Sequence, residues 1–147
     1  MAEIKKVIVP VDFAGNTDKV VDYAMSVADK LGAEVLFFHA INDFQGYDMM
    51  LVHPSFIGMT KDLEEKSRER MNNLIKEYKD REFAVGGDAV IGDAAEEIIK
   101  YAEEQNADMI IIGTHGVKGL EKILMGSTAE RVIKNAPCPV LVFNPFK

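Results

Sequence analysis

The chain has 147 residues, enough for one domain built on one core. Its balance of 48% hydrophobic and 28% charged residues is that of a globular protein and excludes a disordered or fibrous chain. A formal net charge of −7 argues against a broad footprint on a nucleic-acid backbone, although backbone amides can hold one small anion whatever the global charge.

Val7-Ile8-Val9-Pro10-Val11, ending at Asp12, predicts a buried strand. Val20, Ala24, Val27, Ala28 and Leu31 recur at helical spacing, and Gly32 supplies the stop. Residues 34–40 form the second predicted strand. Residues 42–60 contain Asn42, Gly46, Pro54 and Gly58 and are expected to be irregular. Tyr47, Met49, Met50 and Phe56 there read as a cover or a partner surface. A helix is expected from Asp62 to Lys79, with Leu63, Met71, Leu74, Ile75 and Tyr78 as its apolar stripe. A third strand is expected over Phe83 to Ile91, with a bulge or bend at Gly86-Gly87. Asp93 and Glu96 open a helix as cap and third residue. Met109 to Ile112 is the fourth strand, Ser127 to Ala136 the last helix and Val140 to Phe143 the fifth strand.

This alternation predicts βαβ units and a parallel sheet with helices on both faces, an α/β domain spanning residues 1–147. No apolar run approaches the ~20 residues that span a bilayer, and residues 1–6 lack a signal-peptide core. A cytoplasmic protein with no membrane partner is therefore expected. Cys138, between two prolines, reads as a small residue entering a strand. Ligands of open parallel sheets bind beyond the carboxyl ends of the strands. The segments to consider are thus residues 11–16, 40–42, 91–93 and 113–128.

Gly113-Thr114-His115-Gly116 leaves the fourth strand, and Gly126-Ser127-Thr128 opens the last helix. Glycines let backbone approach a ligand closely. The first amides of a helix lack internal partners and attract an anion. The hydroxyls of Ser127 and Thr128 can donate to phosphate oxygens or face a bound Mg2+. Taken alone, Ser127 reads as a helix cap, with Glu130 completing a capping box; three glycines and a hydroxyl pair clustered at one sheet edge shift the reading to a ligand site.

The pattern Gly113-x2-Gly116-x9-Gly126-Ser127 resembles the ATP-binding signature of the universal stress protein family. Ile8 to Phe13 resembles the family's first strand, Gly116 to Leu120 its loop, and Pro137 to Val142 its closing strand, so the resemblance covers nearly the whole chain. It implies five parallel strands in order 3-2-1-4-5, two helices on each face, and a homodimer pairing the edge strand Val140 to Phe143 antiparallel. It implies that Asp12 bonds the ribose hydroxyls, that Pro10, Val11, Ala40 and Ile41 surround adenine, and that Gly113 lies by the ribose. Gly116, Gly126, Ser127 and Thr128 would hold the phosphates of ATP, or of ADP or AMP, with Mg2+ bridging them. One departure is Ala14-Gly15-Asn16, where many members place a serine; its hydroxyl role passes to Asn16 or Thr17 or is missing.

His115, inside the loop, has two readings, a phosphate contact and a solvated side chain. His39 reads as a packed histidine and Asp93 as a cap. Lys118, Lys122 and Arg131 are candidate phosphate neighbours, with surface solvation expected for at least two of them. The functional expectation is an ATP-binding stress-response protein, a nucleotide-dependent switch or sensor with an unidentified protein partner and little or no hydrolysis. There is no Gly-x4-Gly-Lys-Ser/Thr phosphate loop and no activated nucleophile. A slow Mg-dependent ATPase is the alternative. A phospho-accepting domain would need an acidic cluster, an aspartate ending the third strand and a lysine after the fifth; here Asp12 is alone, and Gly92 and Asn144 stand near those strand ends.

Overall fold

The computed structural model describes residues 3–41, 54–114 and 126–145. The elements run β1 (Lys6–Pro10), α1 (Thr17–Leu31), β2 (Glu34–Ile41), α2 (Pro54–Glu77), β3 (Val85–Ile91), α3 (Ala94–Glu104), β4 (Met109–Gly113), α4 (Ser127–Asn135) and β5 (Val140–Phe143). All neighbouring strands pair parallel, in the order β3-β2-β1-β4-β5. The central strand β1 is apolar on both faces because both are covered: Val7, Ile8 and Val9 are fully buried. Val7, Val9, Val35, Phe37 and Ile111 pack under α1 and α2 through Val21, Ala24, Met71 and Leu74. Ile8, Phe38, Ile110 and Ile112 pack under α3 and α4 through Ile98, Ala102, Ala129 and Val132. The three-layer arrangement follows from this alternation of side chains about a sheet buried on both sides.

Two local expectations need correction. The helix expected from Asp62 starts at Pro54, so residues 54–60 are helical, not irregular. Proline suits a first helical position, where its missing N–H costs no hydrogen bond. The remainder of the expected loop, with Tyr47, Met49 and Met50, lies outside the described residues. Gly86-Gly87 makes no bulge. The β2–β3 register is unbroken from Val35↔Val85 to Ile41↔Ile91. At Gly87 a Cβ would stand 2.4 Å from the Phe37 carbonyl oxygen and 3.0 Å from Met71 Sδ. Glycine is there because helix and neighbouring strand come close.

The third strand starts at Val85 because Arg81 organises the preceding turn. Its side chain is almost fully buried and donates to Ala33 O at 2.6 Å, to Phe83 O and Ala84 O, and to Asp29 Oδ1 at 2.6 Å. This staple closes the amino ends of β2 and β3, the end of the sheet opposite the site. Among the described residues no helix is long and apolar enough to cross a membrane.

Candidate functional site

The chain leaves β1 for β2 on one side and later enters β4 on the other, so the strand order reverses between β1 and β4. At this switch point, beyond the carboxyl ends of the strands, the elements leave a crevice. It holds a cavity of about 270 Å³. Its walls come from the ends of β1 (Pro10 to Asp12), β2 (Phe38 to Ala40) and β4 (Ile112, Gly113), and from the openings of α1, α3 and α4. The surface is mostly apolar, with Val20, Phe38, Ile98 and Ile112 prominent, and polar groups gather at two places.

One is Asp12. Beyond Pro10 the chain turns sharply, and Phe13 takes φ +56°, a left-handed conformation that a bulky residue adopts only under constraint. Asp12 Oδ1 accepts from the Ala14 amide at 2.9 Å and from the Thr17 hydroxyl at 3.2 Å. Oδ2 has no partner among the described residues. Thr17 thus bonds the carboxylate itself. His39, expected to be a packed residue, lines the cavity. Its Nδ1 lies 2.8 Å from the Val11 carbonyl oxygen. A carbonyl can only accept, so Nδ1 carries the proton. Burial pushes the imidazole pKa below its ordinary value of 6.5, with the Val11 bond and the Asp12 charge opposing. The neutral ring therefore leaves Nε2 as an acceptor.

The other polar region is the start of α4. The helix begins at Ser127, and Gly126, at φ −57° and ψ 148°, occupies the capping position. The capping box of Ser127 with Glu130 does not form, because Ser127 lies already inside the helix; Glu130 pairs instead with Lys134 at 3.2 Å. The amides of Ser127, Thr128 and Ala129 consequently have no acceptor among the described residues, and neither does the Ser127 hydroxyl. All three residues line the cavity. Gly126 N–H donates to Thr114 O at 2.6 Å, and Thr114 N–H donates to Phe143 O at 2.9 Å. At Gly126 a Cβ would come within 3.2 Å of that Thr114 oxygen.

Of the expected residues, Pro10, Val11, Asp12, Ala40, Gly113, Gly126, Ser127 and Thr128 line one cavity. Ile41 is not among the lining residues. Its side chain is buried and its carbonyl accepts from the Gly92 amide at 3.0 Å. His115, Gly116, Lys118 and Lys122 lie outside the described residues. Arg131 is engaged by Asp93 at 3.1 Å, across the openings of α3 and α4. Asp93 caps α3 through the Glu96 amide at 3.0 Å, and that bond, with Arg131, holds its carboxyl below the usual range. Val20, Ala94, Ile98 and Ile112 carried no sequence signal, because their apolar character served equally for the core. No lysine or arginine lines the cavity among the described residues. Nor do they contain a cluster of three His, Cys, Asp or Glu suited to a metal.

The family model described as "Universal stress protein family" matches residues 3–144. The chain belongs to the universal stress protein family. Relatives from Methanocaldococcus jannaschii include universal stress protein MJ0531, 34% identical over 94% of this chain and 81% of the relative. Universal stress protein MJ0577 from the same organism is 32% identical over 94% of this chain and 93% of its own. The solved structure of MJ0577 superposes with a TM-score of 0.83, at 31% identity, over 97% of each chain. Two more distant universal stress proteins share the fold and were solved with ligands. One, from Arabidopsis thaliana, holds AMP, with TM-score 0.67 and 16% identity over 95% of this chain and 91% of that one. The other is a complex with cAMP, with TM-score 0.61 and 17% identity over 98% and 99%.

Proposed function

We propose that this universal stress protein holds an adenine nucleotide, ATP foremost, in the cavity at the switch point and works as a nucleotide-dependent switch in a stress response. One observation carries the reading: a carboxylate oxygen and a set of helix amides, none with a partner among the described residues, face the same apolar-walled cavity. A nucleotide needs all three features. The apolar wall beside Pro10, Val11 and Ala40 takes the base, Asp12 Oδ2 accepts from the ribose hydroxyls, and Gly113 lets the sugar come close. The amides of residues 127–129 and the dipole of α4 take the phosphates. Gly116 and His115 belong to the same phosphate loop in this reading. The AMP and cAMP held by distant members are ligands of the same class.

The described residues offer no all-protein cage for a cation. A Mg2+ would therefore ride on the phosphates, with the Ser127 or Thr128 hydroxyl as the protein's contribution. Asp12, which among the described residues is the carboxylate lining the cavity, is committed to the sugar in this reading and is not placed as a base at a terminal phosphate. Bound ATP is therefore expected to stay intact. Binding without turnover lets the nucleotide favour one state of a surface read by a protein partner. The reading takes residues 1–147 as one domain working in the cytoplasm.

Homodimerisation is part of the proposal. The sheet-edge strand Val140–Phe143 is apolar and only half-buried, and Tyr23 stacks on Phe143 with ring centroids 4.4 Å apart. An exposed apolar edge needs a partner, and a second copy across a two-fold axis supplies one. Leu141→Asp is expected to give monomers by light scattering; an unchanged mass would reject this interface.

A single-turnover assay tests the switch reading. With protein in excess over labelled Mg-ATP, the nucleotide should be retained on the protein and recovered as ATP. Recovery as ADP would establish the slow ATPase instead, and no retention would reject the nucleotide site.

A further inference from the structure

We propose that His39 is the residue that positions Asp12 for the ribose, and so sets the preference of the site for ribonucleosides; this rests on the nucleotide reading above. β1 ends at Pro10, and the peptide carrying Asp12 leaves the sheet without a strand partner of its own. Contacts with β2 hold it. The Val11 amide donates to Phe38 O at 2.8 Å. His39 Nδ1–H donates to the Val11 carbonyl at 2.8 Å. The Phe13 ring meets the His39 ring edge-on, with centroids 4.9 Å apart at 64°.

These contacts bracket Asp12. The Val11 carbonyl belongs to the peptide unit that contains the Asp12 nitrogen, so fixing both polar groups of Val11 fixes the plane from which Asp12 departs. On the other side, Phe13 sits in a left-handed conformation, which persists only where surroundings over-determine it. The His39 ring is one such surrounding. Between the two fixed points, Ala14 N and Thr17 Oγ1 take Asp12 Oδ1. That leaves Oδ2 as the oxygen for a ligand.

The residue type follows from the same geometry. The preceding residues on this face of β2, Val35 and Phe37, are fully buried and apolar. At position 39 the strand reaches the site, where the Val11 carbonyl has passed beyond the ladder and needs a donor. Imidazole supplies that donor and an aromatic face for Phe13 in one side chain.

The test compares Mg-ATP with 2′,3′-dideoxy-ATP by titration calorimetry. The wild type should prefer ATP about tenfold or more, as expected when hydroxyls meet a charged acceptor. In His39→Leu the preference should collapse to within about twofold, ATP losing clearly more affinity than dideoxy-ATP. His39→Asn, whose side-chain amide can donate toward the same carbonyl, should restore much of the preference. Phe13→Ala, which keeps the imidazole and removes its ring partner, should lower it partway, and serves if His39→Leu does not fold. An undiminished preference in these variants, or equal weakening of both ligands, would overturn the positioning role. Failure of the wild type to bind either ligand would instead reject the nucleotide reading.

Discussion

Asp12→Asn separates the ribose contact from everything else the loop does. Asparagine keeps the shape and keeps an oxygen at Oδ1, so the bonds from Ala14 N and Thr17 Oγ1 at 2.9 and 3.2 Å can survive. What changes is the other position, where a charged acceptor becomes an amide donor. A hydrogen bond to a charged group contributes about 1.5–3 kcal/mol. At about 1.4 kcal/mol per decade, AMP and ATP should both bind roughly 10- to 150-fold more weakly. The thermal midpoint should move little, since Asp12 is exposed and its local bonds remain. Calorimetric titration with AMP is the cleaner assay, because AMP carries the sugar without the terminal phosphates. An AMP affinity within twofold of wild type would show that Asp12 does not meet the ribose.

Gly113→Ala should narrow the cavity and destabilise the fold by about 1–3 kcal/mol, because its Cβ would stand 2.9 Å from Val20 Cγ2; a thermal midpoint and nucleotide affinity both equal to wild type would refute the crowding. Arg81→Met should cost about 2–4 kcal/mol in urea unfolding, since the Ala33, Phe83 and Ala84 carbonyls lose their guanidinium donor. Nucleotide affinity should hold, because this staple lies at the opposite end of the sheet; a selective loss of binding would contradict that placement. His39 also makes stability depend on pH. Its pKa is lower folded than its ordinary 6.5, so the unfolded chain takes the proton first, and stability is complete above that value and falls as pH drops through the folded pKa. His39→Asn should flatten the dependence of the urea midpoint between about pH 7.5 and 5; an equally steep decline would assign it to other groups.

The fold was largely legible because β1, β2, β4 and β5 are predominantly apolar runs and the helices carry 3.6-residue stripes, two signals that are hard to confuse at these lengths. Gly86-Gly87 misled because a glycine pair in a strand has two causes, a bulge or a close approach. Only the Phe37 carbonyl and Met71 across the gap decide between them. The start of α2 was obscured by Pro54 and Gly58, which read as loop residues although proline at a first helical position is favourable. At the site, Asp12, Gly113, Gly126, Ser127 and Thr128 were readable from glycine spacing and strand ends. His39 was not, because a histidine within an apolar strand has no sequence mark that separates packing from bonding a strand-end carbonyl. Arg131 is a candidate phosphate neighbour by sequence, but its capture by Asp93 depends on two helix openings that sequence spacing does not bring together. Cys138 fits the structural reading: burial, then the Asp108 charge, raise its thiol pKa and disfavour the reactive thiolate.

The central claim is that one chain offers one adenine-nucleotide site built from Asp12 and the opening of α4. Titrating the purified, nucleotide-stripped protein with Mg-ATP in a calorimeter tests it most directly. Saturable binding of one ATP per chain, lost on combining Asp12→Asn with Gly126→Val, is the predicted result. No saturable heat with the wild type, or binding untouched by that double substitution, would contradict it.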